Sequence, residues 1–99
     1  MNKVLITLAI TMGISNAVLA SDIAAGKQKA ASCAGCHGSV GISNNPAWPN
    51  LAGQQKLYLA KQLREFRSGK RQDALMTPMA KPLSDKDINN LAAYYNSLK

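Results

Sequence analysis

Histidine occurs once in these 99 residues and cysteine only twice, a scarcity that removes whole classes of chemistry. A structural zinc site needs four ligands, usually cysteine and histidine, and this chain has no third cysteine and no second histidine. Acidic residues are also few, five against twelve lysines and arginines, which leaves a formal charge of +7. The aromatic residues are only one Trp, one Phe and three Tyr, too few to interleave regularly with the bases. The basic excess therefore lacks the stacking platform of a nucleic-acid binder. No apolar run approaches the roughly 20 residues of a membrane-spanning helix, and no internal repeat or low-complexity segment is present.

What is present is concentrated in five residues, Cys33-Ala34-Gly35-Cys36-His37. This C-x-x-C-H spacing is that of covalent haem attachment. Two cysteines three positions apart can each close a thioether to one porphyrin vinyl group, and a histidine directly after the second is carried under the iron. A redox dithiol is the competing use of C-x-x-C, but it wants a βαβ setting, and no alternating strand pattern surrounds Cys33. A simple disulfide would leave His37 unexplained.

Residues 1–20 read as a secretory signal, with Lys3 as the positive start, a mostly apolar stretch from Val4 to Ile14, polar Ser15 and Asn16, and Val18-Leu19-Ala20 before the cleavage point. Cleavage after Ala20 is expected, and the polar break argues against the alternative of an uncleaved membrane anchor. Covalent haem is loaded outside the cytoplasm, so the two independent features support a periplasmic protein. The expected organisation is a signal peptide over 1–20 and one haem domain over 21–99, a chain of 79 residues with eleven bases against five acids, a formal +6. Domains below about 70–80 residues generally need a staple to be stable, and a haem is one. The bases are densest at Lys61, Arg64, Arg67, Lys70 and Arg71, which also fits a solvated helix face.

Asp22 to Ser32 is rich in Ala, Lys and Gln and reads as a helix capped by Ser21 or Asp22. Gly38 to Gly53, with its Gly, Asn and Pro, reads as a loop. From Gln54 onward Leu59, Leu63 and Phe66 recur at i, i+4, i+7 until Gly69 stops the pattern. A second loop, Lys70 to Leu83, holds Met76, Pro78, Met79 and Pro82, and its prolines forbid a continuous helix. Ser84-Asp85-Lys86-Asp87 resembles a capping box, and the last helix carries Ile88, Leu91, Ala92 and Tyr95 on one face. The result is an all-α chain of three main helices and two long loops. Unstructured loops of about fifteen residues count against a compact domain unless both wrap a prosthetic group.

A haem iron with a proximal histidine has one further axial position, and Met/His ligation would close it and raise the potential. Outside the signal segment only Met76 and Met79 can supply a thioether. The commoner use of methionine is to fill gaps in a core. The residues alone leave both open.

The chain resembles the class I cytochromes c over essentially all of residues 22–99, in particular the small bacterial cytochrome c-553 types and single halves of the dihaem cytochrome c4. The resemblance rests on Cys33-Ala34-Gly35-Cys36-His37-Gly38, Pro49-Asn50-Leu51-Ala52-Gly53-Gln54, Tyr58-Leu59 with Gln62-Leu63, Gly69-Lys70-Arg71, Met76-Thr77-Pro78-Met79, and Leu83-Ser84-Asp85 leading to Ala92-Ala93-Tyr94-Tyr95. It implies the class I fold around one haem c, with Cys33 and Cys36 as anchors and His37 and Met76 as axial ligands. In such relatives the ligand stands eight positions before the serine of the Leu-Ser-Asp cap, which is Met76 here, while the position of Met79 has a packing role. A proline carbonyl is expected to accept the Nδ1 proton of His37, with Pro46 the first choice and Pro49 the second. Gly26 is expected to meet Tyr94 or Tyr95 where the first and last helices cross.

The function so implied is a periplasmic one-electron carrier without substrate chemistry of its own. Its partners would be membrane-bound or periplasmic redox complexes that dock transiently at the haem edge, with no nucleic acid and no membrane span after signal cleavage. Three rivals stand beside it: a diatomic-gas binder with an open sixth position, a peroxidase, and a dedicated haem subunit of a larger oxidoreductase. The peroxidase is disfavoured because the single histidine is already spoken for.

Overall fold

The computed structural model describes residues 21–99, and the expected signal peptide lies outside the described residues. Helix α1 spans Ile23–Lys29. The Asp22 carboxylate caps it by accepting from the Ala25 amide at 3.0 Å. The chain tightens into a 3-10 turn over Ala30–Ser32 and then a single helical turn, α2, over Ala34–His37. Helix α3 covers Lys56–Ser68, α4 covers Met76–Ala80 and α5 covers Asp85–Ser97. All regular elements among the described residues are helical.

The expected apolar stripes are buried, save that Leu63 is partly buried and packs against the core. Ile88, Leu91 and Ala92 of α5 are almost wholly inaccessible, and with Tyr94 and Tyr95 they pack against Ala30 and against Leu59 and Ala60 of α3. Helix α1 crosses α5 at Gly26, where any Cβ would overlap the Asn90 carbonyl and come within 2.9 Å of Tyr94 Cβ. Only a residue without a side chain permits that approach. Of the two tyrosines offered by the sequence, Tyr94 is thus the one at the crossing. Asn90, buried in the same crossing, accepts from the Asp22 amide at 2.8 Å through Oδ1 and so ties the start of α1 to α5.

The capping box forms as read: Ser84 Oγ accepts from the Asp87 amide and Asp87 Oδ2 accepts from the Ser84 amide, both at 3.0 Å. Gly69 closes α3, its amide returning to the Phe66 carbonyl at 3.2 Å. Arg67 of α3 bridges to the start of α5, donating to the Leu83 carbonyl at 3.0 Å and to Asp85 Oδ1 at 2.7 Å. One member of the basic cluster is therefore a clasp between helices.

The second loop departs from expectation, because a short helix, α4, interrupts it. Pro78 is the third residue of that helix, and the first-turn amides of a helix have no intrahelical acceptor, so a missing N–H there costs nothing. The prolines prevent a long helix across 70–83 but not a single turn. The first loop stays irregular, as expected, and is pinned to α5 by the Gly53 amide on the Tyr95 carbonyl (2.8 Å) and by Asn96 Nδ2 on the Gln54 carbonyl (2.9 Å).

Candidate functional site

Cys33, Cys36 and His37 lie on one helical turn, closed by the His37 amide on the Cys33 carbonyl at 3.0 Å. A spacing of three on a helix places both thiols on the same side. Cys33 is half-buried against the core and Cys36 is exposed, and the two form no disulfide. Burial pushes the Cys33 thiol above its ordinary value, with the hydroxyls of Ser32 and Tyr95 partly offsetting it. A redox dithiol requires the opposite shift, which argues against that use of the pair. Burial likewise raises the Tyr95 phenol, which keeps it protonated as a donor. Among the described residues no group of three or more His, Cys, Asp or Glu side chains could hold a metal.

His37 is buried, and its Nδ1 lies 2.8 Å from the Pro49 carbonyl. Nδ1 must therefore carry the proton, which leaves Nε2 with its lone pair for a metal. The acceptor is Pro49 and not Pro46, the first expectation. Pro46 occupies the second position of an outward turn, Asn45 to Trp48, closed by the Trp48 amide on the Asn45 carbonyl (3.0 Å) and by the Ala47 amide on Asn45 Oδ1 (2.8 Å). Asn followed by Pro is the sequence signature of such a turn, so the signal was available. The chain then folds back: Asn50 Oδ1 accepts from the Ser43 amide (2.7 Å), and the Leu51 and Ala52 amides both reach the Gly41 carbonyl (2.8 and 3.0 Å). Pro49 stands at the base of that return, opposite His37. Gly38 (φ 89) starts it, with a conformation and a closeness to the Ile42 carbonyl that a side chain would not tolerate.

Of the two methionines, Met76 is half-buried as the first residue of α4 and Met79 is exposed. The Asp73 carboxylate accepts from the Leu75 and Met76 amides at 2.9 and 2.8 Å, bonds that hold it below the usual carboxylate range. Sequence reasoning passed over Asp73, although an acidic residue three positions before a helical turn is a recognisable start signal.

The exposed large apolar side chains are Ile23, Val40, Ile42, Leu57, Tyr58, Leu75 and Met79, and all but the first lie between the histidine and the end of α4. Val40 and Ile42 among them follow the Cys33–His37 turn directly, and Leu75 and Met79 flank Met76; exposed apolar side chains beside candidate ligands suit a surface covered by a bound group. A porphyrin suits this donor set: two thiols on one turn, an imidazole with Nε2 free, and apolar loops to either side.

A helical wrap with that turn at its heart defines the class of covalent-haem proteins. The family model for cytochrome c matches residues 23–99, and the chain belongs to the cytochrome c family, which carries electrons on a c-type haem. The structure of reduced recombinant cytochrome c4 from Pseudomonas stutzeri has the same class I fold, with a TM-score of 0.76 at 43% identity over 81% of this chain and 47% of that one. Cytochrome c4 of Pseudomonas aeruginosa is 46% identical over 100 residues, covering 100% of this chain and 50% of that protein. Cytochrome c-554(548) of Halomonas halodenitrificans is 48% identical over 81 residues, 79% of this chain and 98% of that protein. The chain thus spans about half the length of the cytochrome c4 relatives that it matches.

Proposed function

We propose that this chain is a periplasmic carrier of single electrons, holding one haem c through Cys33 and Cys36 with His37 and Met76 as axial ligands. The observation that carries the proposal is the His37 imidazole, buried and fixed by Pro49 so that only Nε2 is free, one residue from a free thiol on the same turn. The chain has a single C-x-x-C-H, which supports one haem. Its first twenty residues support export.

When bound, the haem supplies a one-electron iron couple, and two protein ligands would leave it no open position for a substrate. The chain's own residues set the conditions for that couple. The Pro49 carbonyl, by accepting the Nδ1 proton, orients the His37 ring and raises its basicity as a ligand. The Cys33 and Cys36 sulfurs prevent the cofactor from leaving. No helix among the described residues is long and apolar enough to cross a membrane. Lys61 and Arg64 are exposed on α3, while Lys70 pairs with Glu65 (3.9 Å), Arg67 is committed to Asp85 and Arg71 to Gln62. The free cations would favour redox complexes with acidic docking surfaces, through the small, weak interfaces usual for electron transfer and with association fastest at low salt.

A redox titration followed by absorption, on the exported protein, tests this reading. The colour should survive acidified acetone, and the oxidised protein should show the weak red charge-transfer band of an iron–thioether bond. That band should vanish in Met76→Ala and persist in Met79→Ala. Colourless protein, or ready binding of carbon monoxide by the reduced wild type, would refute it, the latter in favour of a gas-binding module.

A further inference from the structure

The two sides of the site are held in different ways. His37 is secured by its own helical turn, by adjacent Cys36 and by the Pro49 carbonyl. Met76 has no covalent neighbour of that kind. It opens a helix of five residues, far too short to be stable alone, and Leu75 and Met79 around it are exposed.

What holds Met76 is a relay of side chains. Asp73 Oδ2 accepts from the Met76 amide at 2.8 Å and from the Leu75 amide at 2.9 Å. Thr77 Oγ1 accepts from the Asp73 amide at 2.9 Å and donates to the Arg71 carbonyl at 3.4 Å. Arg71 is fastened to α3 three times: its amide on the Glu65 carbonyl at 3.0 Å, its Nη1 on Gln62 Oε1 at 2.6 Å, and its guanidinium 4.5 Å over the Phe66 ring. A continuous path thus runs from Gln62, Glu65 and Phe66 of α3 to the Met76 amide.

We propose that Asp73 and Thr77 are positioning residues that hold the Met76 backbone in place for iron ligation, with Arg71 anchoring them to α3. The inference rests on Met76 being the second axial ligand. Neither residue touches iron. They act by keeping the ligand-competent conformer populated, and a competing small ligand therefore binds with an affinity that rises as the clamp is weakened.

The test uses the holoprotein, with imidazole added to the ferric form, and reads the imidazole affinity, the red charge-transfer band and the reduction potential. Asp73→Ala should bind imidazole about five- to tenfold more tightly, the scale set by losing a helix-start acceptor, and its potential should fall as thioether ligation weakens. Asp73→Asn should stay within about twofold of the wild type, because asparagine caps as well as aspartate. Thr77→Val, which removes only the hydroxyl, should shift the affinity in the same direction by about two- to threefold. Unchanged affinity in both Asp73→Ala and Thr77→Val, while Met76→Ala abolishes the band, would overturn the clamp and leave the ligand assignment standing. An Asp73→Asn as impaired as Asp73→Ala would also overturn it, since a hydrogen-bonding role predicts rescue. If the band instead survives Met76→Ala and is lost in Met79→Ala, the ligand assignment itself fails. Should Asp73→Ala yield no holoprotein, Thr77→Val carries the decision.

Discussion

The crossing of α1, α3 and α5 and the two stretches that flank α3, residues 38–55 and 70–83, are built by opposite means. In the crossing, apolar side chains find partners within the chain: Ile88, Leu91 and Ala92 are nearly inaccessible, and the buried Asn90 is satisfied by the Asp22 amide. In the loops, Val40, Ile42, Leu75 and Met79 remain exposed, and shape comes from polar contacts of Asn45, Asn50, Asp73 and Thr77 with the backbone. One half is thus complete as protein, and the other is held by polar contacts while its apolar side chains stay uncovered. The difference teaches where stability comes from in so short a chain: packing at the helix crossing and, on the proposed haem reading, the cofactor at the loops.

The heaviest blow to this division is removal of the anchors. Cys33→Ala with Cys36→Ala should leave no pigment after acid–acetone extraction. It should also speed amide hydrogen exchange in 38–55 and 70–83 by at least about a hundredfold, with a smaller change in α1 and α5. Equal loss of protection in both halves would show that the crossing is not self-sufficient. A cavity in the crossing sharpens the contrast from the other side. Ile88→Ala should cost about 2–5 kcal/mol in chemical denaturation, while the absorption spectrum of the folded fraction stays as in the wild type.

The smallest effect concerns acid. The Ser84 amide holds the Asp87 carboxyl below its ordinary value of 3.8, so the unfolded chain takes up that proton more readily than the folded one. The stabilisation is present above the ordinary value and disappears as the pH falls through it and on through the lowered folded value. Denaturation measured across that range should show the advantage of wild type over Asp87→Asn shrinking with falling pH. A constant difference would show that the box is held without its charge.

Much of this arrangement was legible in advance. The 3.6-residue spacing of Leu59, Leu63 and Phe66 and of Ile88, Leu91, Ala92 and Tyr95 marks two stripes that turn out buried or packed against the core, and Cys33, Cys36 and His37 come together because their spacing is local. The ranking of Pro46 before Pro49 failed because it gave no weight to Asn45, which commits Pro46 to an outward turn. Helix α4 was missed because proline was read as a helix breaker without regard to its place in the first turn. Asn90 and Arg67 were not identifiable at all, since their partners lie 68 and 16 residues away.

By itself the sequence determined much of what depends on neighbours along the chain: the three main helices, the caps at Ser84 and Gly69, the Cys33–His37 turn, and the family to which they belong. Tertiary structure alone decided which proline faces His37, which tyrosine meets Gly26, and which arginines are free to meet a partner. The physical reason is that periodicity and capping act over three or four residues, where chain geometry fixes the contact. A carbonyl such as that of Pro49 finds its donor only after the loop has turned out at Asn45 and come back at Asn50.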